Sequence, residues 1–180
     1  MILTYKQCIE KYGSDYLLKK AIAAQEIFQK EKGIYSLTPH CAELEIINVK
    51  YPKAIFTGES AFYYHSLTDV IPDNYFLATE RTESRIKDPR VVQSFLKSDI
   101  FDIGKIKMKY NNVEISIYNQ ERMLIELMRF KGKMPYDYYK EIICNYRKRI
   151  DRLDISLVED YAYSFSNGDR LMDMIQTEVL

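Results

Sequence analysis

The chain has 180 residues, of which 47% are hydrophobic and 29% are charged, and its formal net charge at pH 7 is zero. This size and composition are typical of one or two globular domains with a buried core. No apolar run approaches the roughly 20 residues of a membrane-spanning helix, so we expect no membrane partner. The charged amino end does not resemble a secretory signal. Cys8, Cys41 and Cys144 lack the spacing of a disulfide framework or a zinc site, so we expect reduced, buried thiols in a cytoplasmic protein.

Charge is distributed unevenly along the chain. Residues 1–33 carry six lysines and four acidic side chains, whereas residues 134–180 carry six basic and nine acidic side chains. A basic amino end and an acidic carboxyl end suit a protein that contacts phosphate with one of its parts. The asymmetry is mild, so it supports a nucleic-acid partner only together with a local pattern.

The amino-terminal pattern predicts two short helices separated by a tight turn. Thr4-Tyr5-Lys6-Gln7 fits a capping box, and the helix that it starts is expected to run through about Lys11. Gly13 interrupts this helix, and Ser14 or Asp15 can cap a second helix over residues 15–25. Two helices joined by a short turn that contains glycine form a helix-turn-helix.

The second helix has two different faces, and a hairpin is expected after it. Its apolar face carries Leu18, Ala21 and Ile22, and its opposite face carries Tyr16, Lys19, Lys20 and Ala23. The segment EIFQKEKGIYSL predicts two short strands with Gly33 at the tip of the turn. Helix, turn, helix and hairpin is the order of a winged helix-turn-helix, in which the second helix enters the major groove and the wing reaches phosphates.

This pattern assigns six candidate DNA contacts. Tyr16, Lys19 and Lys20 are expected to face the groove, and Ser14, Lys30 and Lys32 are expected to contact phosphates. The alternative is a helical pair and hairpin whose Lys19-Lys20 is an ordinary solvated face. A winged helix also usually packs three helices, and one residue precedes Ile2-Leu3, so the first helix is expected to be missing. We therefore expect this module to bury its inner face against the following helix, over residues 40–49.

The remaining chain predicts a mixed α/β region that ends in helices. Strands are expected at residues 54–57 and 75–79, with a helix over 58–66 between them and an exposed loop over 80–90. Asn111-Asn112 can form a two-residue hairpin turn between strands at 105–109 and 113–117. Asn119 caps a helix with the apolar stripe Met123, Leu124, Leu127 and Met128. From Pro135 the periodicity is helical, with loops near Arg152 and at residues 166–168.

No pattern in the chain predicts an active site. Gly13-Ser14-Asp15 is like the start of a nucleotidyltransferase motif, but the paired carboxylates that would hold magnesium do not follow it. Ser60 and His65 lie about 140° apart around one predicted helix, so His65 is better explained as a core histidine that satisfies a backbone carbonyl. Glu114 among the lysines of the hairpin is explained by alternation on a solvent-exposed sheet face, and Asp99 and Asp102 suit a loop or cap. We therefore expect a protein that is not an enzyme and needs neither cofactor nor metal.

Three stretches of the chain resemble the AbiEi family of antitoxins. Gly33-Ile34-Tyr35-Ser36-Leu37 matches the family's G-[IV]-Y-x-L wing ending, and VEISIYNQERMLIELMR is similar to a later strand and helix. The most specific stretch has the pattern P-x-[AG]-[VI]-[FI]-[ST]-x-x-[ST]-A-[AL]-x-x-[HW]-x-L-[TS]. Ten of its positions are met, by Pro52, Ala54, Ile55, Phe56, Thr57, Ser60, Ala61, His65, Leu67 and Thr68, and Phe62 stands where the pattern has Ala or Leu. The three similar stretches lie between Gly33 and Arg129.

This resemblance implies an α+β protein with two domains: a shortened winged helix-turn-helix over residues 1–38 and an α/β antitoxin domain with carboxyl-terminal helices over residues 39–180. Such antitoxins repress their own operon by binding inverted repeats of double-stranded DNA in its promoter. They also counteract a nucleotidyltransferase-type toxin without a stable complex, in type IV toxin–antitoxin systems that defend against phage by abortive infection. The abbreviated amino end departs from the family's pattern. It leaves open the alternative of a protein-interaction module that keeps the winged-helix fold without sequence-specific DNA binding.

Overall fold

The computed structural model describes residues 1–180 as a mixed α+β protein whose carboxyl-terminal region is helical. The chain divides into two compact units, Met1–Lys53 and Ala54–Leu180. None of its helices combines the length and apolar character that crossing a membrane requires.

The first unit has a three-stranded antiparallel sheet and three helices. Its elements are β1 (Ile2–Thr4), α1 (Tyr5–Tyr12), α2 (Asp15–Ala23), β2 (Phe28–Glu31), β3 (Ile34–Ser36) and α3 (Glu43–Lys50). The strand order is β1-β3-β2, with both pairings antiparallel. The two helices and the hairpin follow the predicted order, whereas β1 is an addition that the sequence pattern did not predict.

Local capping signals explain where α1 and α2 begin and end. The predicted capping box is present, because the Thr4 hydroxyl accepts from the backbone N–H of Gln7 and the Gln7 side chain accepts from the backbone N–H of Thr4. Gly13 ends α1 in the left-handed conformation with φ 86°, which glycine adopts without steric cost. Ser14 then caps α2 by accepting from the backbone N–H of Leu17 at 3.3 Å. These local predictions are confirmed.

The core of the first unit consists of two small apolar clusters. The larger joins the helices to β3 and the segment before β2, through Cys8, Leu18, Ala21, Ile27 and Tyr35. The smaller joins β1, β3 and α3 through Ile2, Ile34 and Ile46. Helix α3 contributes to this second cluster, and the first compact unit ends at Lys53. The helix expected at 40–49 begins at Glu43 and ends at Lys50.

The second unit has a mixed five-stranded sheet and six α-helices. Its elements are β4 (Ile55–Phe56), α4 (Gly58–Tyr64), β5 (Tyr75–Glu80), β6 (Val91–Leu96), α5 (Ser98–Phe101), β7 (Lys105–Tyr110), β8 (Val113–Tyr118), α6 (Gln120–Phe130), α7 (Tyr136–Arg147), α8 (Ile155–Tyr163) and α9 (Gly168–Glu178). Short 3₁₀ turns lie at Lys131–Lys133 and Ile150–Arg152. The strand order is β6-β5-β4-β8-β7.

The sheet of the second unit combines parallel and antiparallel pairs. β4 lies parallel to β8 and β5 lies parallel to β6, whereas the β4–β5 and β7–β8 pairs are antiparallel. Asn111 and Asn112 have positive φ values of 46° and 65°, as a two-residue hairpin turn requires, so the predicted β7–β8 hairpin is confirmed. Strand β6 and helix α5 were not predicted. Partly and fully exposed residues are mixed along β6 without a period of two, so it lacks the usual signature of a strand.

Helix α6 is the centre of the second unit. It contacts α4, α8 and α9, and seven of its consecutive residues, from Arg122 to Met128, are buried. Asn119 caps it as predicted, accepting from the backbone N–H of Arg122 at 3.0 Å. The predicted apolar stripe is buried as well. Among the cysteines, Cys8 is fully buried as expected, but Cys41 and Cys144 are only partly buried, so the expectation was wrong for these two.

Candidate nucleic-acid interface

The exposed face of α2 carries three of the six predicted DNA-binding residues. At about 100° per residue, Tyr16, Lys19 and Lys20 fall within an arc of about 100° around the helix axis. Leu18 and Ala21 lie on the opposite side and are only 1% and 5% exposed. The apolar face therefore anchors the helix in the larger cluster, and the face that carries the lysines is left at the surface.

Lys19 already has an intramolecular partner. Its ammonium lies 2.7 Å from the carboxylate of Asp15, one turn earlier, and both side chains are exposed. The hydrogen bond from Lys19 lowers the pKa of Asp15, and the same bond raises the pKa of Lys19. The Tyr5 hydroxyl also donates to Asp15 at 3.4 Å. Sequence reasoning missed this counter-charge, although the i, i+4 spacing of Asp15 and Lys19 is the spacing of a helical ion pair.

Tyr16 and Lys20 are the unengaged members of the set on α2. Tyr16 is 74% exposed, and Lys20 is exposed without an ion-pair or hydrogen-bond partner. Leu17, which was not among the predicted contacts, is 45% exposed beside Tyr16. The surface of α2 thus offers one free cation, one paired cation and an aromatic ring next to an exposed leucine.

Ser14, by contrast, is occupied by its structural role. Its hydroxyl caps α2, and the side chain is only partly exposed. The hydroxyl still has a proton to donate, because capping uses it as an acceptor. Its position beside the first turn of α2 lies close to the positive end of the helix dipole, which favours a phosphate there.

The β2–β3 hairpin carries the other two predicted lysines, and the structure gives them different surroundings. Lys30 donates to the carbonyl of Pro39 and lies 5.7 Å from the centre of the Phe28 ring. Lys32 is exposed at the turn, next to Gly33 with φ 80°, and has no partner. Lys32 is therefore the free cation of the hairpin.

The charge balance of the whole first unit is only slightly basic. Residues 1–53 contain eight lysines and six acidic side chains. Besides Asp15, Glu31 is engaged with a lysine, because Lys50 lies 2.8 Å from its carboxylate. Among the six predicted contacts, Lys19 is the lysine with an anionic partner, whereas Lys20, Lys30 and Lys32 keep an unneutralised charge.

The residues considered for catalysis have structural partners instead. The Ser60 hydroxyl accepts from the backbone N–H of Phe76 at 2.9 Å and donates to the carbonyl of Asn74 at 3.3 Å. His65 Nε2 donates to the carbonyl of Tyr118 at 2.7 Å, which confirms the prediction of a core histidine. Burial lowers the pKa of His65, because a charged imidazolium is disfavoured away from water.

The acidic residues that were weighed as a metal or nuclease site are dispersed. Asp102 pairs with Lys105 at 2.9 Å, and Glu114 lies opposite Lys109 in the register of the β7–β8 hairpin. No three His, Cys, Asp or Glu side chains come together in the arrangement of a metal site.

Comparisons with known proteins add no assignment to this geometry. No protein-family model matches the chain, and no curated protein matches its sequence.

Proposed function

We propose that this protein binds double-stranded DNA through α2 and the β2–β3 hairpin, as a shortened winged helix-turn-helix. The observation that carries the proposal is the division of α2 into a buried face with Leu18 and Ala21 and an exposed face with Tyr16, Lys19 and Lys20. A helix anchored in this way presents Tyr16, Lys19 and Lys20 outwards, as a recognition helix presents its polar side chains to a major groove.

The arrangement of the strands supports the same proposal. A winged helix has the chain order strand, helix, helix, hairpin once its first helix is removed, and the order β1-α1-α2-β2-β3 agrees with this. The second hairpin strand of such a module also lies between its partners, as β3 does in the order β1-β3-β2. Helix α3 packs on β1 and supplies apolar surface that the first helix of a complete module would supply.

The biological role in the proposal comes from the AbiEi resemblance. In this role the protein is a cytoplasmic, non-enzymatic antitoxin that represses its own promoter at inverted repeats. It counteracts a nucleotidyltransferase-type toxin without a stable complex, as part of phage defence by abortive infection. The pattern between Pro52 and Thr68 supports this role, because it is the most specific of the similar stretches.

The DNA-binding test uses the free lysine on α2. We expect Lys20→Glu to weaken binding of the full-length protein to the DNA upstream of its own gene by tenfold or more, because it replaces a phosphate or base contact with a repelling charge. Lys19→Glu combined with Lys20→Glu should abolish binding. Asp15→Asn should tighten it, because this change releases Lys19 from its ion pair. Fluorescence anisotropy with labelled DNA measures all three affinities.

Lys97→Glu is the matched control, because Lys97 is an exposed lysine of the second unit and the change in net charge is the same. Equal weakening by Lys97→Glu and Lys20→Glu would show a nonspecific charge effect and contradict the assignment of α2.

A protein-interaction module remains the second candidate. The observation in its favour is the exposed pair Tyr16 and Leu17, together with the engagement of Ser14, Lys19 and Lys30 in contacts within the chain. The salt dependence of DNA binding separates the candidates. A DNA reader loses affinity steeply with salt, with a log–log slope of roughly one per phosphate contact, and Lys32→Ala should flatten this slope by roughly one. No measurable DNA affinity at low salt would favour the interaction module.

The antitoxin role has an independent test. The reading frame after this gene should encode a nucleotidyltransferase, and its expression should stop growth unless this protein is expressed with it. The toxin should not copurify with the affinity-tagged protein. A stable copurifying complex, or growth arrest that this protein does not relieve, would contradict the proposed role.

A further inference from the structure

A cavity of about 560 Å³ lies in the second unit, where the end of α6 and the following 3₁₀ turn meet α9. This volume is within the range of small-ligand sites in proteins. Its lining combines three cations with three apolar side chains: Arg129, Lys131, Arg170, Met128, Leu171 and Met174. We call this cavity the cationic cleft.

Arg129 is a fixed cation with unused donors. Its Nη1 donates to both carboxylate oxygens of Glu126, at 2.8 and 2.7 Å, and its guanidinium lies 4.5 Å from the centre of the Phe165 ring. Its Nε and Nη2 donate to no acceptor in the protein. The guanidinium is therefore held in place while most of its planar fork stays available to a phosphate or carboxylate.

Arg170 is the free cation of the cleft. It is exposed and has neither an ion-pair nor a hydrogen-bond partner. At about 100° per residue it shares an arc of about 100° on α9 with Leu171, Met174 and Glu178, which also line the cleft. Asp169 and Asp173 fall outside this arc. The face of α9 that borders the cleft therefore carries Arg170 but neither Asp169 nor Asp173.

Lys131 forms an ion pair with Glu178, the last residue of α9, which also accepts a hydrogen bond from the Tyr139 hydroxyl. Burial opposes ionisation of Glu178, but these two hydrogen bonds outweigh it, so the pKa of the carboxyl is lowered. Glu178 is therefore an internal anion that competes for one cation of the cleft.

A second cavity of about 250 Å³ shares Lys131 and Glu178 with the cationic cleft. Lys140 and Arg147 also line it, so the two cavities together have five cations and the single carboxylate of Glu178. Three of these five cations belong to residues 134–180, a segment in which acidic side chains outnumber basic ones nine to six. The average charge of that segment therefore does not reveal the cluster of cations.

We propose that the cationic cleft binds a polyphosphate chain. Arg129, Arg170 and Lys131 supply the charge and the N–H donors for the phosphate oxygens. The five cations of the two adjoining cavities outnumber their single carboxylate, which favours a ligand with several negative charges over a single phosphate. Met128 and Leu171 are only 3% and 1% exposed, so the accessible lining offers little apolar surface for a nucleobase.

The test is isothermal titration of the full-length protein with tripolyphosphate at low salt and without divalent cations. We expect saturable one-to-one binding, and Arg170→Ala should weaken it by tenfold or more because a charge-assisted hydrogen bond is lost. Arg170→Lys should keep part of the affinity. Glu178→Gln should tighten binding, because it removes the competing charge while leaving an acceptor for Tyr139. Arg152→Ala, a change of an exposed arginine outside both cavities, should leave the affinity unchanged.

Three ligand controls define the class of ligand. ATP should bind about as tightly as tripolyphosphate, because the phosphates make the contacts. Inorganic phosphate should bind at least tenfold more weakly than tripolyphosphate, and adenosine should not bind. The proposal is overturned by the absence of tripolyphosphate binding at millimolar concentration. It is equally overturned by affinity that Arg170→Ala and Arg152→Ala reduce alike, or by adenosine that binds as tightly as ATP.

Discussion

The two units of this protein differ in whether their cores contain charged side chains. The core of the first unit is made of apolar side chains, and among its polar side chains only that of Ser36 is buried. The core of the second unit encloses Arg122, which is completely buried, with Glu126 at 4% exposure beside it. Arg122 donates twice to Glu126 and also to the carbonyls of Ile100 and Ile103, and it stacks on Tyr118 and Phe165.

The difference matters for reading function from charge. In the first unit Lys20 and Lys32 lie at the surface, where they are available to a partner. The Lys19–Asp15 ion pair is exposed and easily exchanged, whereas the Lys50–Glu31 pair is partly buried. In the second unit a buried arginine joins α6 to the segment around α5, so part of its charge is structural. A buried ion pair is costly to desolvate, and here each of the three guanidinium nitrogens of Arg122 has an acceptor.

The largest effect that tests this comparison is expected from Arg122→Ala. The change should lower the free energy of unfolding by about 3–5 kcal/mol, because it leaves buried acceptors without their donor. Urea denaturation followed by circular dichroism measures the loss. Arg152→Ala, which removes an exposed arginine, should change stability by less than about 0.5 kcal/mol. Equal stability of the two variants would mean that Arg122 does not organise the second core.

In the first unit the corresponding test changes a buried apolar side chain. Leu18→Ala should cost about 3 kcal/mol, because Leu18 is 1% exposed and packs with Cys8, Ile27 and Tyr35. Hydrogen exchange of the α2 amides is a local measure of this loss. The neighbouring change Leu17→Ala removes the same atoms from a side chain that is 45% exposed, and it should leave exchange nearly unchanged. Faster exchange in both variants would contradict the assignment of the buried face.

The smallest effect is a pH dependence in the second unit. Burial lowers the pKa of His65 in the folded protein below its ordinary value of 6.5. Below that pH the unfolded chain binds a proton at His65 while the folded chain resists it. The contribution of neutral His65 to the free energy of unfolding is therefore fully present above pH 6.5. It falls as the pH is lowered, by less than about 1.4 kcal/mol per pH unit. Urea denaturation between pH 7.5 and 5.5 measures it, and His65→Gln should reduce the slope. The same slope in both proteins would contradict this role of His65.

Local signals in the sequence predicted much of the fold. The capping residues Thr4, Ser14 and Asn119 mark helix starts because their side chains satisfy backbone groups only a few residues away. The Asn111-Asn112 turn and the carboxyl-terminal helices were predicted for the same reason, because each depends on residues that are close in the sequence. The sequence predicted that His65 bonds a backbone carbonyl, but it did not identify that carbonyl as the one of Tyr118.

Features that depend on distant residues were not predicted. Strand β1 has three residues and forms only because β3 provides its partner. Strand β6 pairs in parallel with β5 across an exposed loop, and its own sequence lacks alternation. The cationic cleft joins residues of α6 and α9 that are about forty positions apart, so no local motif could reveal it.

The sequence by itself determined the order of helices and hairpins and which face of α2 is apolar, because these follow from contacts between residues a few positions apart. Only the tertiary structure decided which cations are free. It bonds Lys30 to the carbonyl of Pro39 and leaves Lys20 and Lys32 exposed. It also buries Arg122 against the carbonyls of Ile100 and Ile103, while Arg170 stays open. The physical reason is that a side chain's charge is encoded in the sequence, whereas its solvation and its partner depend on what the folded chain brings beside it.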